Sequence, residues 1–191
     1  MKKLGKTSGD ARKARIVEAA VDVFRRYGFE RTKMTDIAKA AGLTRPTLYL
    51  TFPAKEDIFS ASVETLFKEL LEKIAREADL QDSLQKKIES ACSTWCFFVF
   101  DITLSNPDAS DLFDLRFPVV RACHADFEDL LIELIAPDRN DSAQLKYVRA
   151  MAHMMVAALK GFKEVATTRD ELKCFIADLC KVVAVNLRQG N

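Results

Sequence analysis

Thr32-Lys33-Met34-Thr35-Asp36-Ile37-Ala38-Lys39-Ala40-Ala41, then Gly42-Leu43-Thr44, then Arg45-Pro46-Thr47-Leu48-Tyr49-Leu50-Thr51-Phe52, closing on Pro53-Ala54-Lys55, is the stretch that decides the fold. Two short helices joined by a three-residue turn containing Gly form the helix-turn-helix pattern. Ala38 and Ala41 are small enough for a crossing helix to come close. Gly42 can take the positive φ of a sharp turn. Pro46 fits the first turn of the second helix, where its missing N–H costs nothing. Leu43 and Leu48 anchor the pair, which leaves Arg45, Thr47 and Tyr49 facing outward. The outward N-terminal end of such a helix is the part that reaches base edges in a major groove.

Upstream, Ile16, Ala20, Val23, Phe24 and Tyr27 recur at one-face helical spacing, and Gly28 follows as a stop. Downstream, Lys55-Glu56-Asp57 opens a long fourth helix to about residue 78. Leu84, Ile88, Ala91, Trp95, Val99 and Ile102 mark a fifth. Asn106-Pro107-Asp108 breaks the chain and caps a short sixth around Asp111–Leu115. Pro118 starts a seventh, whose stripe is Val120, Cys123, Phe127, Leu130, Leu131 and Leu134. Residues 136–141 read as the clearest loop, and two more helices follow, Ser142–Val165 and Arg169–Leu187. No strand pattern or internal repeat interrupts this, so the expectation is an all-α chain of about nine helices.

Composition agrees. Only 6 Gly and 5 Pro occur in 191 residues, with 49% hydrophobic and 30% charged residues, which excludes collagen-like and disordered classes. The longest uncharged stretches, Ser90–Phe100 and Ala150–Leu159, are half the roughly 20 residues of a membrane-spanning helix. The start, Met1-Lys2-Lys3-Leu4-Gly5-Lys6, has no apolar run to serve as a signal peptide. Five cysteines (Cys92, Cys96, Cys123, Cys174, Cys180) lie within apolar helical segments, which favours reduced thiols and a cytoplasmic setting.

The net charge of +1 conceals a division. Residues 1–55 carry +8 and residues 56–191 carry −7. A basic head on an acidic body is the footprint of a polyanion-binding module, most simply one for double-stranded DNA. Lys2, Lys3, Lys6, Arg12, Lys13 and Arg15 add a basic leader.

The N-terminal sixty residues resemble the TetR family of transcriptional regulators. The blocks that carry the resemblance are Ile16–Gly28, Asp36–Thr44 (Asp-Ile-Ala-Lys-Ala-Ala-Gly-Leu-Thr) and Thr47–Phe59 (Thr-Leu-Tyr-Leu-Thr-Phe-Pro-Ala-Lys-Glu-Asp-Ile-Phe). The resemblance implies DNA contacts at Thr35, Thr44, Arg45, Thr47, Tyr49, Thr51 and Lys55, the last on a phosphate. Two departures stand out. Leu50-Thr51 replaces the usual aromatic or His pair after the tyrosine. Lys33 stands where a capping Ser or Thr is usual, so Thr32 or Thr35 is expected to cap the second helix.

The resemblance divides the chain into a DNA-binding domain, 1–54, and a helical ligand-binding and dimerisation domain, 55–191. In the body, Trp95–Phe100 is apolar all round, as in a helix that is enclosed or lines a cavity. The resemblance implies a small-molecule pocket there, with Trp95, Phe98, Ile102, Phe113, Phe117, His124, Phe127 and His153 as its candidate lining. Each aromatic taken singly is as well explained as core, and His153 lies among Met151, Met154 and Met155, where packing is the default. The last two helices carry apolar stripes that, by the same resemblance, pair two subunits; Met151, Met155, Phe162, Phe175, Leu179 and Val183 are the candidates. A two-fold homodimer presents two recognition helices to a palindromic operator.

No metal site is expected. Cys92 and Cys96 share a helix face and Cys123 adjoins His124, but no second cysteine pair stands at ligand spacing. No cofactor motif, nucleophile elbow, Gly-rich phosphate loop or paired carboxylates occur, so the chain is not read as an enzyme. The reading is a DNA-binding regulator, most simply a repressor released from its operator by a small apolar or aromatic effector. A constitutive or protein-controlled regulator of the same fold is the alternative.

Overall fold

The structure, a computed structural model, describes residues 8–136 and 142–189. The loop expected at 136–141 and the leader lysines Lys2, Lys3 and Lys6 fall almost wholly outside the described residues. Among those described, the chain is all helical: α1 (Ser8–Arg31), α2 (Met34–Ala40), α3 (Arg45–Thr51), α4 (Lys55–Asp79), α5 (Leu84–Ser105), a 3-10 helix (Pro107–Phe113), α6 (Pro118–Ile135), α7 (Ser142–Val165) and α8 (Arg169–Gln189). The short sixth helix is therefore a 3-10 segment that starts at Pro107 and ends two residues before the expected Leu115. Asn106 precedes it without a side-chain cap.

These elements form two compact units, and neither follows the 54/55 division. One comprises residues up to Phe67 with Ile102–Val120. The other comprises Lys68–Asp101 with the residues from Arg121 on.

In the first unit, Ile16, Ala20, Phe24, Ile37 and Leu48 are fully or almost fully buried and join α1 to the α2–α3 pair. Tyr27 does not share that core: it is 46% exposed, and Phe29 is buried in its stead. The cause is Gly28, whose φ of +71 breaks α1 and re-aims its last turn. Phe29 then meets Phe59 at 4.8 Å and Phe117 at 5.1 Å between ring centroids, while Phe24 stands edge-on to Phe59 at 5.3 Å. Such pairs add about 0.5–1.5 kcal/mol each beyond the area they bury.

The second unit is a helical body with its own core. Trp95, Cys96, Ile88 and Ala91 of α5, Phe127 and Leu131 of α6, Ala152, Met155 and Leu159 of α7, and Leu172, Ile176 and Cys180 of α8 are at most 1% exposed. Burying a Leu, Ile, Met or Phe contributes about 1.5–3 kcal/mol, so this interior is ample for an independent core.

Candidate functional site

The turn between α2 and α3 has the required chemistry. Gly42 adopts φ +64, and the Leu43 N–H closes onto the Ala38 carbonyl at 2.8 Å. Thr44 is the N-cap of α3: its Oγ accepts the Thr47 N–H at 3.4 Å and lies 2.9 Å from the Thr47 Oγ. Leu48 is fully buried, which fixes the rotation of α3. Arg45 and Tyr49 are left on the surface, with the guanidinium 6.0 Å from the Tyr49 ring centroid. Thr47 is half-buried and Thr35, the second residue of α2, is exposed. Leu50 is 85% exposed on the same helix, an apolar side chain that helical spacing alone did not single out.

One expectation is corrected here, and two of the DNA-contact candidates are engaged with the chain's own backbone. Neither Thr32 nor Thr35 caps α2: Lys33 is the N-cap residue, and Asp36 reaches back to its N–H at 2.9 Å. Thr32 is buried and donates its hydroxyl to the Gly28 carbonyl at 2.5 Å. Thr51 spends its hydroxyl on the Thr47 carbonyl at 3.4 Å. Lys55 turns inward, donating to the Phe29 carbonyl at 2.7 Å and the Thr32 carbonyl at 3.1 Å, with its ammonium 4.0 Å from the Phe29 ring centroid. The break at Gly28 leaves those carbonyls to be satisfied by something other than a continuing helix, and Lys55 is the cation within reach.

That break is clasped by the 3-10 helix. Asp111 accepts the Phe29 N–H at 2.7 Å and the Glu30 N–H at 3.0 Å, and Arg31 is ion-paired with Asp108. A Cβ at Gly28 would collide with the Asp108 carbonyl oxygen and stand 2.9 Å from both Asp111 carboxylate oxygens. Beside the clasp, Val23, Arg26, Tyr27, Arg31, Lys33, Asp36, Lys39 and Ala40 line a surface groove of about 640 Å³ between α1 and α2. Four cations against one carboxylate extend the positive field of the head.

The candidate pocket lining is divided between the units. Trp95, His124 and Phe127 lie together in the body: the Trp95 and Phe127 rings stack at 4.2 Å, and His124 stands edge-on to Trp95 at 5.2 Å. Burial, then Lys163 and Lys160, pull the His124 pKa down to about 4. Phe98, also in the body, is half-buried. Ile102, Phe113 and Phe117 belong instead to the first unit. There Phe113 packs on Phe67 at 6.0 Å and Phe117 on Phe59 at 4.6 Å. His153 is on the surface, with Nδ1 3.1 Å from Glu128, and lines no interior site in this chain. Lys163, absent from the sequence-based set, is half-buried on α7, and desolvation holds its pKa below the ordinary lysine value.

The cysteines are free, and all but Cys174 are buried. Contact with Cys180, then burial, pushes the Cys92 thiol well up, and burial pushes Cys96 up to about 12. These are neutral thiols at physiological pH, poor as nucleophiles. Among the described residues no cluster of three His, Cys, Asp or Glu stands where a metal ion could be held, and no helix is long and apolar enough to cross a membrane.

The stripe expected at a subunit interface is largely the chain's own core. Met151, Met155 and Val183 are 6%, 1% and 3% exposed, and Phe162 meets Phe175 at 5.4 Å between α7 and α8. Leu179 is half-buried. The adjoining stripe of α7 is the open one: Tyr147, Met154 and Val165 are 45%, 60% and 63% exposed, with Ala158 and Gly161 between them. Val182 and Val185 of α8 are also exposed. Both stripes are apolar at helical period, so sequence spacing did not separate them.

Comparison with known proteins adds to this geometry. Residues 16–62 match the pattern of the bacterial regulatory proteins of the tetR family. The chain is 40% identical over 79 residues to the uncharacterized HTH-type transcriptional regulator YfiR of Bacillus subtilis, an alignment covering 41% of this chain and 38% of that one. The chain thus spans well under half the length of that curated relative. Solved structures share the fold along most of the chain. A tetR-family transcriptional regulator from Streptomyces coelicolor superposes with a TM-score of 0.68 at 18% identity, covering 92% of this chain and 82% of that one. FadR from Bacillus subtilis, in complex with stearoyl-CoA, gives 0.64 at 16% identity, covering 88% and 96%. The helix-turn-helix segment is thus similar in sequence to that of tetR-family regulators, and the helical architecture along most of the chain has the fold of these solved structures.

Proposed function

We propose that the chain is a cytoplasmic, ligand-responsive repressor that binds a palindromic operator as a homodimer. The observation that carries the reading is α3. Its buried face is fixed by Leu48 and its start by the Thr44 cap, so that Arg45 and Tyr49 stand clear on the surface of a head carrying +8. Arg45 and Thr47 are assigned to base edges and nearby phosphates, Thr35, Thr44 and Tyr49 to positioning on the backbone. Functionally, residues 1–54 form the DNA-binding part and 55–191 the effector and pairing part. Lys55 and Thr51, engaged with backbone carbonyls, support the shape of that surface.

The effector is assigned to the body beside Trp95, His124 and Phe127, as a small compound with an apolar or aromatic part. The stearoyl-CoA bound by FadR is in keeping with an apolar component in the effector. Pairing is assigned to the open stripe of α7 (Tyr147, Met154, Ala158, Gly161, Val165) with Val182 and Val185 of α8, where small residues let two helices approach closely. A ligand that binds one state of the body better than the other shifts the dimer away from the operator-matching spacing.

Selection of binding duplexes from a random library tests the reading. An enriched inverted repeat is expected, with about tenfold or more lost for Arg45→Ala and a smaller loss for Tyr49→Phe at unchanged dimer mass. No enriched sequence, or variants that bind as the parent does, would overturn it. Release of the complex by members of a broad metabolite panel is the expected sign of ligand response, and a complex indifferent to the whole panel overturns that part.

A further inference from the structure

Two ridges run side by side along the outer face of α3. Arg45 and Tyr49, four residues apart, form the polar one, with the guanidinium 6.0 Å from the ring centroid. Pro46 and Leu50, also four apart, form an apolar one, and both are exposed. Leu50 is 85% exposed. It comes two positions after Leu48, which is fully buried, so it leaves the helix roughly 200° around from the side chain that anchors α3. A lone apolar side chain on an ordinary surface calls for no explanation. This one stands at the crest of the element that the Gly42 turn and the Thr44 cap present outward, on a head carrying +8. The next residue places no free hydroxyl beside it, since Thr51 donates to the Thr47 carbonyl at 3.4 Å. Leucine has neither donor nor acceptor. Of the groups that base pairs display in the major groove, the thymine 5-methyl is the apolar one.

We propose that Leu50 is a specificity-determining residue that packs on a thymine 5-methyl in each operator half-site, with Pro46 widening the apolar ridge. The inference rests on the operator reading above and adds one feature to the sequence that is read, a thymine selected by its methyl rather than by a hydrogen bond. Arg45 supplies the hydrogen bonds, and Leu50 supplies a contact that an unmethylated cytosine cannot return, so T·A is told from C·G at that position. The gain is specific to the complex: packing removes apolar surface of both partners from water, whereas in the free protein Leu50 is solvated.

The test uses the full chain and the duplex enriched from the random library. Each thymine of a half-site, together with its symmetry mate, is replaced in turn by deoxyuridine, which removes the methyl and keeps every hydrogen-bonding atom. Titration of labelled duplex reads the affinity of the parent and of Leu50→Ala. At one thymine per half-site the parent is expected to lose about fourfold or more on replacement by uracil. Leu50→Ala should bind the thymine operator more weakly by a similar factor and lose nothing further at that uracil. Its affinity for random duplex should equal the parent's, because the side chain touches no phosphate. Uracil tolerated by the parent at every position, an enriched operator with no thymine in its half-sites, or a uracil penalty that persists in Leu50→Ala overturns the inference while leaving the operator reading in place. A library that yields no enriched sequence overturns both.

Discussion

The carboxylate of Asp111 accepts the backbone N–H of Phe29 at 2.7 Å across 82 residues of sequence. The same side chain takes the Glu30 N–H, so one residue of the 3-10 helix satisfies two donors that the broken end of α1 exposes. Gly28 makes the approach possible.

Gly28→Ala is therefore expected to destabilise the protein by at least about 2–3 kcal/mol, since a methyl there meets the Asp108 carbonyl at a φ that alanine disfavours. Asp111→Ala should cost about 1–3 kcal/mol by leaving two amides unpaired, and Asp111→Asn, which keeps an acceptor oxygen, should cost less. Urea unfolding of the three variants checks the order. Alanine at 28 with parental stability would contradict the clasp.

Lys55 separates a structural lysine from a phosphate-binding one. Lys55→Met is expected to lower stability by about 1–3 kcal/mol through the Phe29 and Thr32 carbonyls it abandons. The dependence of operator affinity on salt should keep the parental slope, because no phosphate contact is removed. A slope reduced by about one unit, with stability unchanged, would instead place Lys55 on DNA.

The open stripe of α7 is distinguishable from the buried one by oligomeric state. Met154→Glu combined with Val182→Lys is expected to yield a folded monomer with weak operator affinity, as read by light scattering and gel shift. Met151→Ala, by contrast, should cost about 2–5 kcal/mol of stability while leaving pairing intact. A double variant that still dimerises at micromolar concentration would move the interface elsewhere.

His124 links stability to acidity. Its folded pKa of about 4 lies below the ordinary 6.5, so the unfolded chain binds more protons between those values. Stability contributed by the neutral imidazole is thus fully present above pH 6.5 and is lost as pH falls toward 4. The size is on the order of 2 kcal/mol after allowance for partial exposure. His124→Gln should flatten the stability profile over that window; an unchanged slope would place the titration elsewhere.

The helix-turn-helix was legible because its rules are local. Gly42, Pro46 and the burial of Leu48 each follow from residues within a few positions. Helix type and span were nearly as plain. What escaped the sequence was every relation set by tertiary contact: the inward turn of Lys55, the joining of Asp111 to Phe29, and the removal of Ile102, Phe113 and Phe117 to the first unit. Two apolar stripes on α7 have equal periodicity, and only packing decides which is spent on the core. Lys163 escaped for the opposite reason, since a lysine near a helix end reads as solvated until its neighbours are known.

Among the described residues two glycines are left-handed, and they set different limits on variation. Around Gly42 no heavy atom lies within 4 Å of a would-be Cβ, so its requirement is one of backbone angle alone. In a saturation library that position should accept asparagine and aspartate, residues that tolerate this conformation. Position 28 has both the angle and the collision, and should accept glycine only. Drift in such a chain would therefore relax the turn that shapes the recognition helix before it touched the notch that receives the 3-10 helix.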